Sequence, residues 1–117
     1  MKPTWAANNL WKGMIAVSNK LKLGQVVSTK RVWDLVECDE RFRRFTGVCV
    51  ARFLLHDWDD LCDEDWELND NYARKKGGRI LASYKLPDYA DADGEDSLWI
   101  ILDKDASATT LLFPGDY

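Results

Sequence analysis

Between Asp57 and Asp70 the chain reads DWDDLCDEDWELND, eight acids without a base. Carboxylates at this density suit three kinds of chemistry. Asp57, Asp59 and Asp60 offer the oxygen ligands that Ca²⁺ or Mg²⁺ takes. The twelve-residue loop spacing of a calcium-binding hand is absent, however. Asp91-Ala92-Asp93-Gly94 fills just two of its ligand positions, with the glycine misplaced. No metal and no cofactor is expected. A second reading is mimicry of phosphate charge. Asp57, Asp59, Asp60, Asp63, Glu64 and Asp65 would face a protein that normally grips nucleic acid, with Trp58 and Trp66 as anchors, and long-range attraction would steer the encounter. The third is a solvated helix start beside a loop.

A basic counterpart precedes the acids. Lys30, Arg31, Arg41, Arg43 and Arg44, with Arg52 beyond them, are interleaved with Trp33, Phe42 and Phe45. Cations beside aromatics can hold a phosphate backbone and stack bases. Here the aromatics fall on what should be the buried side of each helix, which favours an ordinary charged helix surface. No glycine-rich phosphate loop follows a strand.

Catalytic groups do not assemble. His56 and Asp57 are neighbours in sequence, and neighbours on a helix do not face each other. Ser83, Ser97, Ser107 and the cysteines lack the strand–turn–helix setting of an activated nucleophile. His56 reads instead as a helix C-terminal residue favoured by the dipole.

Charge is divided along the chain. Residues 1–56 hold ten Lys and Arg against four Asp and Glu; residues 57–117 hold six against sixteen. Hydrophobic residues make up 46% and charged residues 31%, the balance of a globular domain rather than a disordered one. Three cysteines, Cys38, Cys49 and Cys62, are odd in number and show no CxxC spacing, so free thiols in a reducing cytoplasm are expected. No apolar run approaches the ~18 residues of a membrane span. Met1–Lys20 lacks the apolar core of a secretory signal.

The elements that must carry these groups follow from periodicity. Residues 1–22 read as an extension. Thr4 caps a helix with Trp5, Leu10, Trp11, Met14, Ile15 and Val17 at roughly helical spacing. LGQVVS (Leu23–Ser28) reads as a strand. Ser28 or Thr29 then caps a helix to Cys38, and Asp39 caps another carrying Phe42 and Phe45. Gly47 interrupts it, and Val48–His56 resumes as an apolar helix. A further helix runs from about Asp63 to Lys76, with acids first and bases last to suit its dipole, and stops at Gly77-Gly78. Arg79–Leu86, Ser97–Leu102 and Ala108–Phe113 read as strands, the first two joined across the Asp93-Gly94 turn. The expected fold is α+β, a single domain over 23–117. Its helices pack on a three- to four-stranded, mainly antiparallel sheet with a C-terminal β-meander.

Five stretches carry a resemblance. They are LGQVVST (Leu23–Thr29), ARFLLHDWDDL (Ala51–Leu61), the pair Glu64-Asp65 with Asn69, GGRILASY (Gly77–Tyr84) and WIILDKDASATTLLFPGDY (Trp99–Tyr117). In this order they resemble a family of small proteins carried by plasmids and phages, sometimes labelled as restriction-system subunits. The closing stretch is the most specific. The family pattern has His where this chain has Phe53, and glycine where it has His56 and Asp59. The 22 leading residues and the insert Asp88–Asp96 also depart from it. The resemblance implies a mobile-element setting and no particular activity.

The leading expectation is a non-enzymatic protein of a phage or plasmid. It would bind a host protein of a defence system, in the anti-CRISPR or anti-restriction manner, through the acidic surface around Asp57–Asp70. The alternative is a nucleic-acid or nucleotide binder using Lys30, Arg31, Arg41, Arg43 and Arg44. A small enzyme ranks third. Tryptophans on the leading segment would favour a homodimer if exposed.

Overall fold

In the computed structural model, residues 4–6, 23–59, 61–75, 78–105 and 107–117 are described. Strand β1 is Thr4–Ala6, β2 Gln25–Thr29, β3 Ile80–Lys85, β4 Ser97–Leu102 and β5 Ala108–Leu112. Helices α1 (Lys30–Cys38), α2 (Glu40–Leu54) and α3 (Asp63–Lys75) fill the interval between β2 and β3. The expected helix through Thr4 and Trp5 is replaced at 4–6 by a strand, because the free edge of β2 offers ladder partners, Thr4 opposite Thr29 and Ala6 opposite Val27. Residues 7–22, on which the rest of that helix was placed, lie outside the described residues.

The α+β expectation holds. Three helices pack on four body strands, and β1 adds a fifth at the edge, in the order β1-β2-β5-β4-β3. β3, β4 and β5 form the antiparallel meander. The sheet is mixed rather than purely antiparallel, because β2 lies parallel to β5, Gln25 opposite Ala108 and Ser28 opposite Leu111. The three helices between β2 and the meander supply the long crossover that a parallel pair needs.

Alternation sends Ile80, Ala82 and Tyr84 of β3, Leu98, Ile100 and Leu102 of β4, Leu111 of β5 and Val26 of β2 to one face. There they meet Val32 and Val36 of α1, Phe42, Cys49, Val50 and Phe53 of α2, and Ala73 of α3 in one core. The opposite face carries Trp99, Ile101, Thr110 and Leu112. Tyr117 packs edge-on against Trp99 at 6.1 Å, and the Arg79 guanidinium lies over Tyr117.

Local chemistry explains the helix bounds. The Asp39 carboxylate accepts from the Arg41 and Phe42 backbone N–H groups, capping α2. Thr29 sits at the N-cap of α1, but its hydroxyl makes no cap bond. It donates instead to Asp116. Gly47 does not interrupt α2. It lies buried in mid-helix, and the packing of Phe42, Thr46, Cys49, Val50 and Phe53 outweighs a glycine cost of about 1 kcal/mol. Past α3, Gly78 adopts φ +99° with the Tyr72 ring against its Cα, where any side chain would collide.

Candidate functional site

The acidic run divides into two groups with different work. After α2 the chain turns through two left-handed residues, His56 (φ 60°) and Asp59 (φ 54°). This doubling back brings Asp57 and Asp59 onto Arg52. Arg52 Nε donates to Asp57 Oδ2 at 2.7 Å, and its Nη2 to Asp57 Oδ1 at 3.1 Å and Asp59 Oδ1 at 2.6 Å. The guanidinium also lies over the Tyr84 ring, whose hydroxyl donates to the Asp57 carbonyl. The hydrogen bond from Arg52 is the main reason that the Asp57 carboxyl is held below its ordinary range; burial opposes it. Asp57 and Asp59 thus stabilise the turn.

Trp58 is fully buried, against Phe53 at 5.1 Å and stacked with His56 at 5.5 Å. The sequence predicts a surface anchor at this position, and the fold gives Trp58 to the core instead. An indole released from water by the turn contributes roughly 2–3 kcal/mol of burial. Its Nε1 donates to Asp70 Oδ1 at 2.9 Å. Asp60 lies outside the described residues.

The second group lies on α3. Asp63, Glu64 and Asp65 form its exposed first turn, where negative charge suits the helix dipole. Trp66 is half-buried. Asp63, Trp66, Glu67 and Asp70 stand at i, i+3, i+4 and i+7 and so share one side of the helix. Together with His56 they line an open groove of about 650 Å³. Among the described residues none of Asp63, Glu67 and Asp70 is ion-paired with a Lys or Arg. His56 Nε2 is buried there without a hydrogen-bond partner. Glu67 and Asp70 lie within the acidic surface expected around Asp57–Asp70 without being singled out there as contacts, and His56 is a groove residue that sequence reasoning misses. The helical spacing of the first two was a usable signal, whereas the position of His56 depends on its left-handed backbone.

The basic residues do not form one surface. Lys30 pairs with Asp34 in solvent. Arg31 Nη1 is held between Glu95 and Asp116, both at 2.9 Å. Arg41 approaches Asp39 and lies 4.3 Å above the Tyr89 ring. Arg43 and Arg44 share the Glu40 carboxylate and remain exposed. Phe42 is buried and Trp33 and Phe45 half-buried against the core, so these rings belong to packing.

No family model, curated protein or solved structure matches this chain. What the site can do therefore rests on its own geometry. Three carboxylates beside an indole, none of them ion-paired with a Lys or Arg among the described residues, suit a guanidinium or ammonium group, which gains both charge-assisted hydrogen bonds and cation–π contact. Among the described residues no group of three His, Cys, Asp or Glu is arranged to hold a metal ion. No described helix is long and apolar enough to cross a membrane. Cys38, Cys49 and Cys62 are free thiols.

Proposed function

We propose that the chain is a non-enzymatic binding protein that seats a basic segment of a protein partner in the α3 groove. The observation that carries this reading is the stripe of Asp63, Trp66, Glu67 and Asp70, acidic, grooved and without a paired cation among the described residues. An arginine or lysine of the partner lies on Trp66 with its charge among the carboxylates. Glu64 and Asp65 widen the negative field and speed the encounter. With the resemblance to plasmid and phage proteins, the partner is a host protein that handles nucleic acid, such as a component of a defence system, and the carboxylates take the place of phosphates.

The test is affinity purification of the tagged protein from a bacterial host, alongside the variants Asp63→Lys with Glu67→Lys and Trp66→Ala. A basic host protein should be recovered with the parent chain, and recovery should fall by about tenfold with either variant, each folded by circular dichroism. Recovery unchanged by both would remove the groove as the contact. Nucleic acid recovered in place of protein, and lost on Arg43→Glu with Arg44→Glu, would move the function to the exposed arginines of α2.

A further inference from the structure

His56 is the chain's one histidine. It follows the C-terminal end of α2, with its backbone left-handed at φ 60°. Its ring stacks on Trp58, centroids 5.5 Å apart and planes 12° from parallel. Trp58 is itself tied down, because its Nε1 donates to Asp70 Oδ1. The imidazole is thus fixed one indole away from a groove carboxylate, and it lines the same groove as Asp63, Trp66, Glu67 and Asp70. Its Nε2 is buried and has no hydrogen-bond partner. A buried polar atom left in this way is uncommon. No hydrogen bond at that atom commits the ring to one protonation state.

Histidine is the side chain whose charge ordinarily changes between about pH 5 and 8. The charges around this one are lopsided. Helix α3 contributes Asp63, Glu67 and Asp70 to the groove, and among the described residues no Lys or Arg lines it. On the α2 side, Arg52 is taken up by Asp57 and Asp59. The Tyr84 hydroxyl donates to the Asp57 carbonyl, and burial keeps it protonated. A proton on His56 therefore meets carboxylates that no described Lys or Arg neutralises. Those are the carboxylates that a partner's cation would use.

We propose that His56 makes the groove proton-sensitive: on taking up a proton it supplies a cation of the chain's own among the three carboxylates and weakens the hold on the partner's. This rests on the reading of the groove as a seat for a basic segment. Proton and partner compete for one set of negative charges without competing for one position. A unit charge several ångströms from another, at the effective dielectric of a protein surface, changes affinity by about tenfold. By linkage, a bound cation drives the proton off the imidazole by the same factor. The groove holds its partner at neutral pH and above, and loosens in mildly acidic surroundings.

An acetylated, amidated penta-arginine peptide serves as the probe, since arginine keeps its charge throughout this range. Titrated into the full chain, it should bind about five- to tenfold more weakly at about pH 6 than at about pH 8. His56→Asn should bind it equally at both, and asparagine is chosen because it tolerates the left-handed backbone. Proton NMR gives a second reading on the unaltered protein. The ring resonances of the single histidine report its protonation, and saturating peptide should lower the titration midpoint by up to about one pH unit. Binding that is weakened by Trp66→Ala yet indifferent to pH, or equally pH-dependent in His56→Asn, would overturn the proton coupling and leave the groove reading standing. A midpoint unmoved by bound peptide would do the same. Binding indifferent to Trp66→Ala would instead remove the groove reading, and this proposal with it.

Discussion

At Asp116 one carboxylate ties three segments together. Thr29 Oγ1 donates to it at 2.7 Å, Arg31 Nη1 at 2.9 Å and the Phe113 backbone N–H at 3.0 Å. The side chain is inaccessible to solvent. Burial alone would push its pKa up, but the Thr29 hydroxyl, the Phe113 N–H and Arg31 together hold it below the ordinary carboxylate range. A carboxyl depressed in the folded state contributes stability that is present above its unfolded pKa of about 4 and lost as pH falls through the lower folded value. Asp116→Asn should cost about 1–3 kcal/mol at neutral pH and flatten the acid limb of a stability-against-pH curve; urea titrations at several pH values measure both. A parent-like acid limb in Asp116→Asn would contradict this account. The thiols offer a second check at the same scale. Burial pushes the Cys49 thiol up to about 12, while Cys38 and Cys62 are exposed. A disulfide reagent at neutral pH should label Cys38 and Cys62 in the folded protein and reach Cys49 after denaturant is added.

At the scale of elements, β3 is an edge strand with outward groups engaged at Leu81, Ser83 and Lys85. Asn69 Nδ2 donates to the Leu81 carbonyl at 2.8 Å, Asp59 forms a parallel bridge to Ser83, and the Lys85 N–H donates to Asp59 Oδ2 at 3.3 Å. An open strand edge invites pairing with another chain. Here the turn after α2 and the middle of α3 occupy it. Asn69 is 5% exposed, so its loss would leave the Leu81 carbonyl without its partner. Asn69→Ala should cost about 1–3 kcal/mol by chemical denaturation and raise the tendency to aggregate near the midpoint. Asp59→Ala should speed hydrogen exchange at the Lys85 amide. Unaltered exchange there would separate Asp59 from edge protection and leave it to Arg52 alone. The left-handed backbone at His56 and Asp59 makes this arrangement geometrically available.

Across the whole molecule, what was legible in the sequence is what local chemistry decides. Asp39 declared the start of α2, the acids of Asp63–Asp65 the start of α3, alternation in RILASYK the strand β3, and the short apolar run SLWIIL the strand β4. The rest depends on contacts between distant residues. Nothing in LGQVVST specifies a parallel partner in the final strand, and nothing around Gly47 announces that packing would carry the helix through it. The acidic run looked uniform because residue type does not reveal direction. Asp57 and Asp59 are drawn to Arg52 by a turn whose left-handed residues are a histidine and an aspartate, types that do not mark it as glycine would. Trp58 follows them inward for the same reason, so one of the two aromatic anchors expected at the surface belongs to the core.

The position of β5 sets a timetable for making the protein. This strand lies between β2 and β4 in the sheet, yet it follows both of them in sequence. Until Ala108–Leu112 leave the ribosome, Val26 has no parallel neighbour and β4 presents a bare edge. Thr29 and Arg31 wait for Asp116. The β3–β4 hairpin and the three helices can form beforehand, but they cannot close on β2. A nascent chain paused just short of Ala108 therefore displays the same apolar strands that the finished fold hides, and is a ready client for chaperones that bind extended hydrophobic segments.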